Sequence, residues 1–379
     1  MVSKILKKLP IILILISLSV LANLMMQNSA NATCAKTSTG AIITQDISGV
    51  SDVTPFALAT SPTTFDQDQC SEEPLFYKIK FYDVMLCKND PYTGFSSNDA
   101  NNTNSPDFTS ERVGCVEIFS GEKEIIIEPG KAVNLLEGDL VLPIGTYKYA
   151  AVILSNHLQI KHYQRFADAN DADVSIRGYK ATGDQPGTAC YTALKSTGPD
   201  VQFMTTYNNE LQTGAITTLH SISLPVADSG GDSQGSNILC NTLAIAKAAM
   251  DVETNYAIEV IDHLGDGLYL TTNSLFRNHE AYDTTTIDGI LAAQNMLQAT
   301  GNIVGTTIEN STKLAGYFDF GTTPVVIDEK VTGLTLDFNT SRSVSIDFSV
   351  DDDDDKIYGA KVGADPFVLR IIPTSGPSL

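Results

Sequence analysis

The chain has 379 residues, a formal net charge of −21 at pH 7, 42% hydrophobic residues and no tryptophan. A chain this acidic repels nucleic-acid phosphates and anionic membrane surfaces, so we expect no nucleic-acid partner. The missing tryptophan removes the best aromatic platform for stacking on sugars, and leaves that role to the 14 tyrosines.

Residues 1–32 have the pattern of a cleaved export signal. A charged start precedes an apolar stretch at residues 11–20, and Ala30-Asn31-Ala32 offers the small-x-small pattern that a signal peptidase cuts. The charges are Lys4, Lys7 and Lys8. A retained anchor is the alternative, but the apolar run at residues 9–22 is short for a membrane span. We therefore expect an exported protein that is periplasmic, cell-surface or extracellular, with no transmembrane span after signal removal.

Export brings the cysteines into an oxidising compartment, where thiols pair as disulfides. The six cysteines are Cys34, Cys70, Cys87, Cys115, Cys190 and Cys240. Cys87 and Cys115 flank the polar residues 88–111, so a bond between them would close the base of a long loop and stabilise the fold by about 2–4 kcal/mol. Nearest-neighbour pairing then gives Cys34–Cys70 and Cys190–Cys240, although the sequence leaves other connectivities open.

Strand signals begin at residues 75–87. Their apolar positions change from odd to even numbers between Phe81 and Val84, which predicts a β-bulge near Tyr82 and Asp83. Residues 147–154 have little polarity, which predicts a strand buried on both faces.

The C-terminal third has the clearest alternation of apolar and polar residues. Residues 334–338 and 344–350 both alternate, and the polar residues 339–342 separate them, which predicts a hairpin with one wet face. Residues 367–371 predict a final strand with Arg370 facing solvent, and residues 357–362 are its expected partner.

Residues 237–250 and, with a weaker apolar stripe, residues 287–297 predict helices. The expected fold is mainly β: an antiparallel β-sandwich domain at residues 33–165, then a second, mostly-β domain at residues 166–379 with one or two short helices.

Three stretches carry a family resemblance: residues 77–86, residues 132–136, and residues 142–147 with their Pro-x-Gly-x-Tyr motif. With these stretches, residues 75–160 resemble an uncharacterised family of exported bacterial proteins with transthyretin-like or carboxypeptidase-regulatory-like β-sandwiches. The resemblance implies a sandwich and a bacterial source, and it implies no activity, cofactor or catalytic residue.

The sequence contains no recognisable catalytic signature. His279-Glu280-Ala281-Tyr282-Asp283 has an aspartate where a zincin helix needs its second histidine, so an exposed turn is the expectation there. The acidic run consists of Asp351, Asp352, Asp353, Asp354 and Asp355. It is a candidate for calcium, a hard ion that prefers oxygen ligands, but a solvated loop between two strands is the favoured interpretation. We expect no other cofactor.

The leading hypothesis is an exported, non-catalytic β-protein of the cell surface or periplasm with a structural, adhesive or assembly role. Its partner would be another surface protein or a second copy of the chain, to which residues 41–47 would add a strand. The alternatives are a carbohydrate- or ligand-binding module, with residues 88–111 and 228–236 as its binding edges, and a secreted hydrolase.

Overall fold

The computed structural model describes residues 33–46, 56–61, 64–66, 69–91, 108–133, 143–167, 179–180, 186–187, 189–194, 196–197, 200–205, 211–214, 216–218, 221–222, 238–261, 271–272, 289–299, 301, 311–351, 356–364 and 367–375. These residues form 28 strands and one α-helix, so the expected mainly-β fold class is confirmed. No helix in these ranges is long and apolar enough to cross a bilayer. The expected signal at residues 1–32 lies outside them.

The strands up to residue 165 are β1 (Thr44–Asp46), β2 (Phe56–Ser61), β3 (Thr64–Asp66), β4 (Gln69–Glu72), β5 (Phe76–Cys87), β6 (Cys115–Ile127), β7 (Gly145–Tyr147), β8 (Tyr149–Ser155), β9 (His157–Lys161) and β10 (Tyr163–Arg165). The middle of the chain holds β11 (Tyr179–Lys180), β12 (Pro186–Gly187), β13 (Ala189–Thr192), β14 (Ser196–Thr197), β15 (Asp200–Thr205), β16 (Leu211–Gly214), β17 (Ile216–Thr218), β18 (Ser221–Ile222), β19 (Ile238–Asn241), helix α1 (Leu243–Met250) and β20 (Ala257–Val260). The last strands are β21 (Thr271–Thr272), β22 (Ile290–Gln298), β23 (Ser311–Asp319), β24 (Val325–Ile327), β25 (Val331–Asn339), β26 (Val344–Asp351), β27 (Lys356–Ala364) and β28 (Val368–Ser375).

An 11-stranded sheet forms the centre of the molecule, and the 12-residue strand β5 lies in its middle. Strand β6 pairs along one edge of β5, while β8 and β9 together pair along the other. The sheet then divides, because β8 continues to β23, β22 and β21, and β9 continues to β20, β15 and β14. Residues Ala150 to Ser155 of β8 are all buried, so the prediction of a strand covered on both faces is confirmed.

The bulge in β5 is confirmed. The register of β5 shifts between Phe81 and Asp83 against both β6 and β8. Because of this extra residue, Phe81 and Val84 lie in the same core cluster although their positions have opposite parity. The bulge keeps one face of a long strand against one core.

The four C-terminal strands β25 to β28 form the expected strands, but the expected pairings are wrong. Strand β26 lies between β4 and β27, and β25 pairs with β28. Residues 339–343 therefore form an arch that carries the chain from one sheet to another, instead of a hairpin turn. Both edges of β26 are occupied, which leaves no place for β25 beside it.

The core has a cluster on each face of the central sheet, as in a β-sandwich. The larger cluster joins β5 and β8 to β25, β26, β27 and β28, and its aromatic contacts include Phe81–Phe338, whose ring centroids lie 6.1 Å apart. The smaller cluster lies on the other face of β5 and β8, where Phe108 stacks on Tyr317 at 6.1 Å. Tyr147 of β7 donates a 2.9 Å hydrogen bond to the carbonyl of Pro143, which resembles the tyrosine corner of many sandwiches.

The expected helix at residues 237–250 is found only in its second part, Leu243–Met250, because Ile238–Asn241 is strand β19. Helix α1 begins after Thr242, whose hydroxyl accepts a hydrogen bond from the Ile245 amide at 3.4 Å. The expected helix at residues 287–297 is wrong, because Ile290–Gln298 is strand β22 and pairs with β23. Its leucines, alanines and glutamine favour a helix, but the pairing with β23 outweighs this intrinsic preference.

Strands from both sides of the expected domain division at residues 165 and 166 pair with each other. Strand β8 pairs with β23, and β9 pairs with β20. The division stays a prediction, and any cut there passes through the central sheet.

The expected use of residues 41–47 as a donor strand stays a prediction, and the described part of this segment already pairs within its own chain. Strand β1 pairs with β2 of the same chain, and Ile42 forms a bridge with Phe166. Ala41, Ile42 and Ile43 are buried, so this segment belongs to the fold of its own chain.

Candidate functional site

Two of the predicted disulfides are confirmed. Cys34 is bonded to Cys70 and Cys87 to Cys115, with sulfur–sulfur distances of 1.98 and 2.03 Å. Cys190 is also disulfide-bonded, and Cys240 is its register partner across β13 and β19. This register supports the third predicted pair, which stays a prediction.

The bond between Cys87 and Cys115 closes the base of the predicted polar loop. Beyond the bond, the Asn89 amide donates to the Val113 carbonyl at 3.0 Å, and the Asn89 side chain donates to the Arg112 carbonyl at 2.6 Å. Near the end of the loop, the Phe108 side chain packs in the smaller core cluster. Residues 92–107 and the other expected binding edge, residues 228–236, lie outside the described residues.

The calcium candidates are only partly covered by the structure. Asp351 ends β26 and lies opposite Lys356 of β27 in the strand register, so the acidic run connects two paired strands as expected. Residues 352–355 lie outside the described residues, and calcium binding there stays a prediction. The residues that are described contain no cluster of three metal-ligating side chains.

The two described histidines are both buried. Burial lowers the pKa of His157 to about 4. Burial, with a smaller contribution from the Lys36 charge, lowers the pKa of His162 to about 3. Both imidazoles are therefore neutral near pH 7. The segment His279 to Asp283, like His220 and His263, lies outside the described residues.

The structure brings His162 into a cleft that the sequence patterns do not identify. The cleft has a volume of about 270 Å³ and lies between the N-terminal segment, the end of β4, β10 and helix α1. The Cys34–Cys70 bond and the 2.8 Å hydrogen bond from the Ile42 amide to the Arg165 carbonyl hold the N-terminal segment in place. The His162 amide donates to the Thr192 hydroxyl at 3.1 Å, which ties His162 to β13.

Three buried polar side chains contribute to the lining of this cleft. They are Glu72, His162 and Gln164, which are 5%, 3% and 3% exposed. Oε1 of Glu72, Nε2 of His162 and both amide atoms of Gln164 have no hydrogen-bond partner among the described residues. Buried polar groups are normally hydrogen-bonded, so this concentration marks the cleft as unusual.

Positive charge surrounds these groups. Lys36 forms an ion pair with Glu72, with 2.5 Å between Nζ and Oε2. Burial raises the pKa of Glu72, and the Lys36 charge opposes that rise. Arg165 donates to the Thr39 hydroxyl at 3.1 Å, and Lys247 projects from the last turn of α1. The lining thus has three cations and the two carboxylates of Glu72 and Glu73, in a chain whose net charge is −21.

The sequence carries no clear local signal of this cleft. His162 and Gln164 are two residues apart, but the residues around them include Gln159, Lys161 and Arg165, so their polarity does not stand out. The lysines have no such signal either, because Lys36 and Lys247 come from distant parts of the chain and only the fold brings them together.

Comparisons of this chain with family models, with curated proteins and with solved structures found no match. The resemblance of residues 75–160 to transthyretin-like sandwiches therefore stays a prediction.

Proposed function

We propose that the chain is an exported, non-catalytic β-protein of the cell surface or periplasm with a structural, adhesive or assembly role. The observation that carries this proposal is the Cys34–Cys70 disulfide. Cys34 lies two residues after the expected cleavage site, and both cysteines are buried in the larger core cluster.

Because of the Cys34–Cys70 disulfide, folding of the N-terminal segment depends on the compartment in which the chain folds. The cytosol keeps thiols reduced, whereas export gives an oxidising environment in which Cys34 and Cys70 pair. The bond fixes the segment that carries Ala41, Ile42 and Ile43 against the core. A chain that folds in the cytosol would lack this covalent attachment.

The state of the two described histidines supports a non-catalytic role. A general acid or base works best when its pKa lies near the working pH. Burial keeps the pKa of His157 and of His162 well below neutrality, so neither changes its protonation state near pH 7.

Cell fractionation of a bacterium that expresses the full chain tests export. We expect a processed protein that begins at Thr33, is found outside the cytosol, and resists thiol alkylation until it is reduced. The double variant Cys34→Ser/Cys70→Ser should be exported but should lose the N-terminal segment to protease more readily. A full-length cytosolic product whose cysteines all react with the alkylating reagent would contradict the proposal.

The proposed absence of catalytic activity is tested separately. The purified exported protein is incubated with substrates of glycosidases, esterases and peptidases. We expect no turnover above that of buffer. Reproducible turnover that one carboxylate or histidine substitution abolishes would instead support the hydrolase alternative.

The cleft favours a ligand-binding module as the second candidate function. Its unpartnered buried atoms and its local positive charge are features of a binding site on an otherwise acidic protein. A glycan array measured with and without calcium tests this role, and also tests the acidic run at Asp351 to Asp355. An array with no signal in either condition would count against it.

A further inference from the structure

The inner side of the cleft mainly offers hydrogen-bond acceptors. His162 donates a hydrogen bond to the backbone of Glu73, so its unpartnered Nε2 is an acceptor in the neutral imidazole. Oε1 of Glu72 and the amide oxygen of Gln164 are also acceptors, and the amide nitrogen of Gln164 adds a donor. Since each unpartnered buried group costs about 1–3 kcal/mol, a ligand that supplies several donors together is strongly favoured.

Hydroxyl groups meet this requirement best. A hydroxyl donates one hydrogen bond and accepts others, so adjacent hydroxyls can satisfy His162, Gln164 and Glu72 together. A hydrocarbon ligand would leave these groups without partners, which is the more costly outcome.

The outer side of the cleft selects for negative charge. Lys247 is exposed on α1 and has no acidic partner among the described residues. Arg165 lies on the same cleft and provides a planar guanidinium, which suits a carboxylate. The chain as a whole is strongly acidic, so a lining with three cations and two carboxylates departs from the average charge of the molecule.

The remaining lining is suited to the face of a ring. Tyr163, Leu75 and Leu243 add aromatic and aliphatic surface. With a volume of about 270 Å³, the cleft is slightly smaller than the pockets that take drug-sized ligands, so it has space for one ring rather than an extended chain.

We propose that this cleft binds one acidic sugar, a hexuronate either free or at the end of a glycan. Its carboxylate faces Lys247 and Arg165, and its hydroxyls face His162, Gln164 and Glu72. This inference rests on the proposed binding role of the exported protein and adds the class of its ligand. Because these buried atoms are almost inaccessible to solvent, their contact with a ligand requires movement of neighbouring side chains such as Lys36, which is 43% exposed and pairs with Glu72.

Calorimetry on the exported protein with its native disulfides tests the ligand class. The probes are glucuronate and galacturonate, each compared with its neutral counterpart, glucose or galactose. We expect each acid to bind about tenfold or more tightly than its neutral counterpart, and added salt to reduce the difference. Equal affinity for acid and neutral sugar, or no binding of either acid, would overturn the proposal.

Two variants assign the binding to the cleft. Lys247→Ala should weaken uronate binding about tenfold, whereas Lys330→Ala, which removes the same charge from an exposed turn, should leave the affinity unchanged. Gln164→Met should abolish measurable binding without lowering the melting temperature, because it removes an amide that has no partner. Equal loss in both lysine variants, or full binding by Gln164→Met, would contradict the assignment.

The same titrations separate failure of this inference from failure of the proposed function. If uronates do not bind but the protein is processed and exported, only the ligand class is wrong. If a uronate-containing glycan is cleaved during the titration, the non-catalytic role is wrong instead.

Discussion

Gly289 is a single residue that joins two parts of the core. Its amide donates to the Asp319 carbonyl at 2.8 Å, and its carbonyl accepts from the Leu369 amide at 2.9 Å. It has a φ of +86°, and a Cβ atom there would lie 1.9 Å from the Leu369 carbonyl oxygen. The contact between β28 and the end of the β22–β23 pair therefore depends on the absence of a side chain.

We expect Gly289→Ala to destabilise the protein by about 3 kcal/mol or more, because it adds a steric clash to the cost of positive φ. Gly40→Ala is the matched control, since Gly40 has a φ of +81° but a Cβ atom there would have no neighbouring atom within 4 Å. That variant should lose only about 1–2 kcal/mol. Guanidinium unfolding of both variants measures the difference, and equal losses would show that the close approach to Leu369 does not matter.

The sequence allowed some residue-scale features to be predicted and left others hidden. The bulge at Tyr82 and Asp83 was readable because a change of parity is a local signal. The cleft was not readable, because Lys36, Glu72, His162 and Lys247 are far apart in the chain. A site made of single residues from distant segments has no spacing that a sequence pattern can reveal.

At the scale of elements, the alternation of residues 334–338 and 344–350 predicted strands but not their partners. A hairpin and an arch need the same apolar alternation, since Leu336 and Ile346 face the larger core cluster from different sheets. Contacts within the arch favour the second form. Tyr77 of β5 donates a hydrogen bond to the Ser343 carbonyl, and the Ser343 amide donates to the Thr340 carbonyl at 3.1 Å.

A designed crosslink distinguishes the two pairings. Thr335 of β25 and Ile372 of β28 are direct register partners, and opposite residues in an antiparallel pair lie close enough for a disulfide. We expect Thr335→Cys/Ile372→Cys to form a new bond under mild oxidation, as detected by peptide mass spectrometry. Thr335→Cys/Asp347→Cys is the control, because a hairpin that pairs Phe338 with Val344 would place Asp347 opposite Thr335, whereas Asp347 has Lys361 and Gln69 on its two edges. Preferential crosslinking of the control pair would instead support the hairpin pairing of β25 with β26.

At the scale of the whole molecule, the two core clusters and the disulfides act on the same strand. One face of β5 packs in the larger cluster and the other in the smaller cluster. The Cys87–Cys115 bond fixes the end of β5, and the Cys34–Cys70 bond fixes the chain segment before it. Stability should therefore respond to any change that disturbs the surroundings of β5, β8 and β9 together.

Protonation of the buried histidines is such a change. His157 begins β9, and His162 follows its end. In the folded chain the pKa is about 4 for His157 and about 3 for His162, whereas the ordinary value is 6.5. At a pH between the folded value and 6.5, the unfolded chain therefore binds more protons than the folded chain. The contribution of the neutral histidines to stability is fully present above pH 6.5 and is lost as the pH falls toward 4. Glu72 has the opposite effect on the free energy of unfolding as the pH falls, because burial raises its pKa and favours its protonated form.

We expect the free energy of unfolding to fall by up to about 1.4 kcal/mol per pH unit for each histidine as the pH decreases from 6.5 to 4. His157→Gln should remove one of these two contributions, since glutamine does not titrate, and should leave that of His162. Urea unfolding at pH 7.5, 6.5, 5.5 and 4.5 measures both slopes, with Lys330→Ala as a control for a general change in charge. If the wild type is equally stable at pH 7.5 and 4.5, or if His157→Gln has the same slope as the wild type, then burial of the neutral imidazoles does not control the acid stability of the fold.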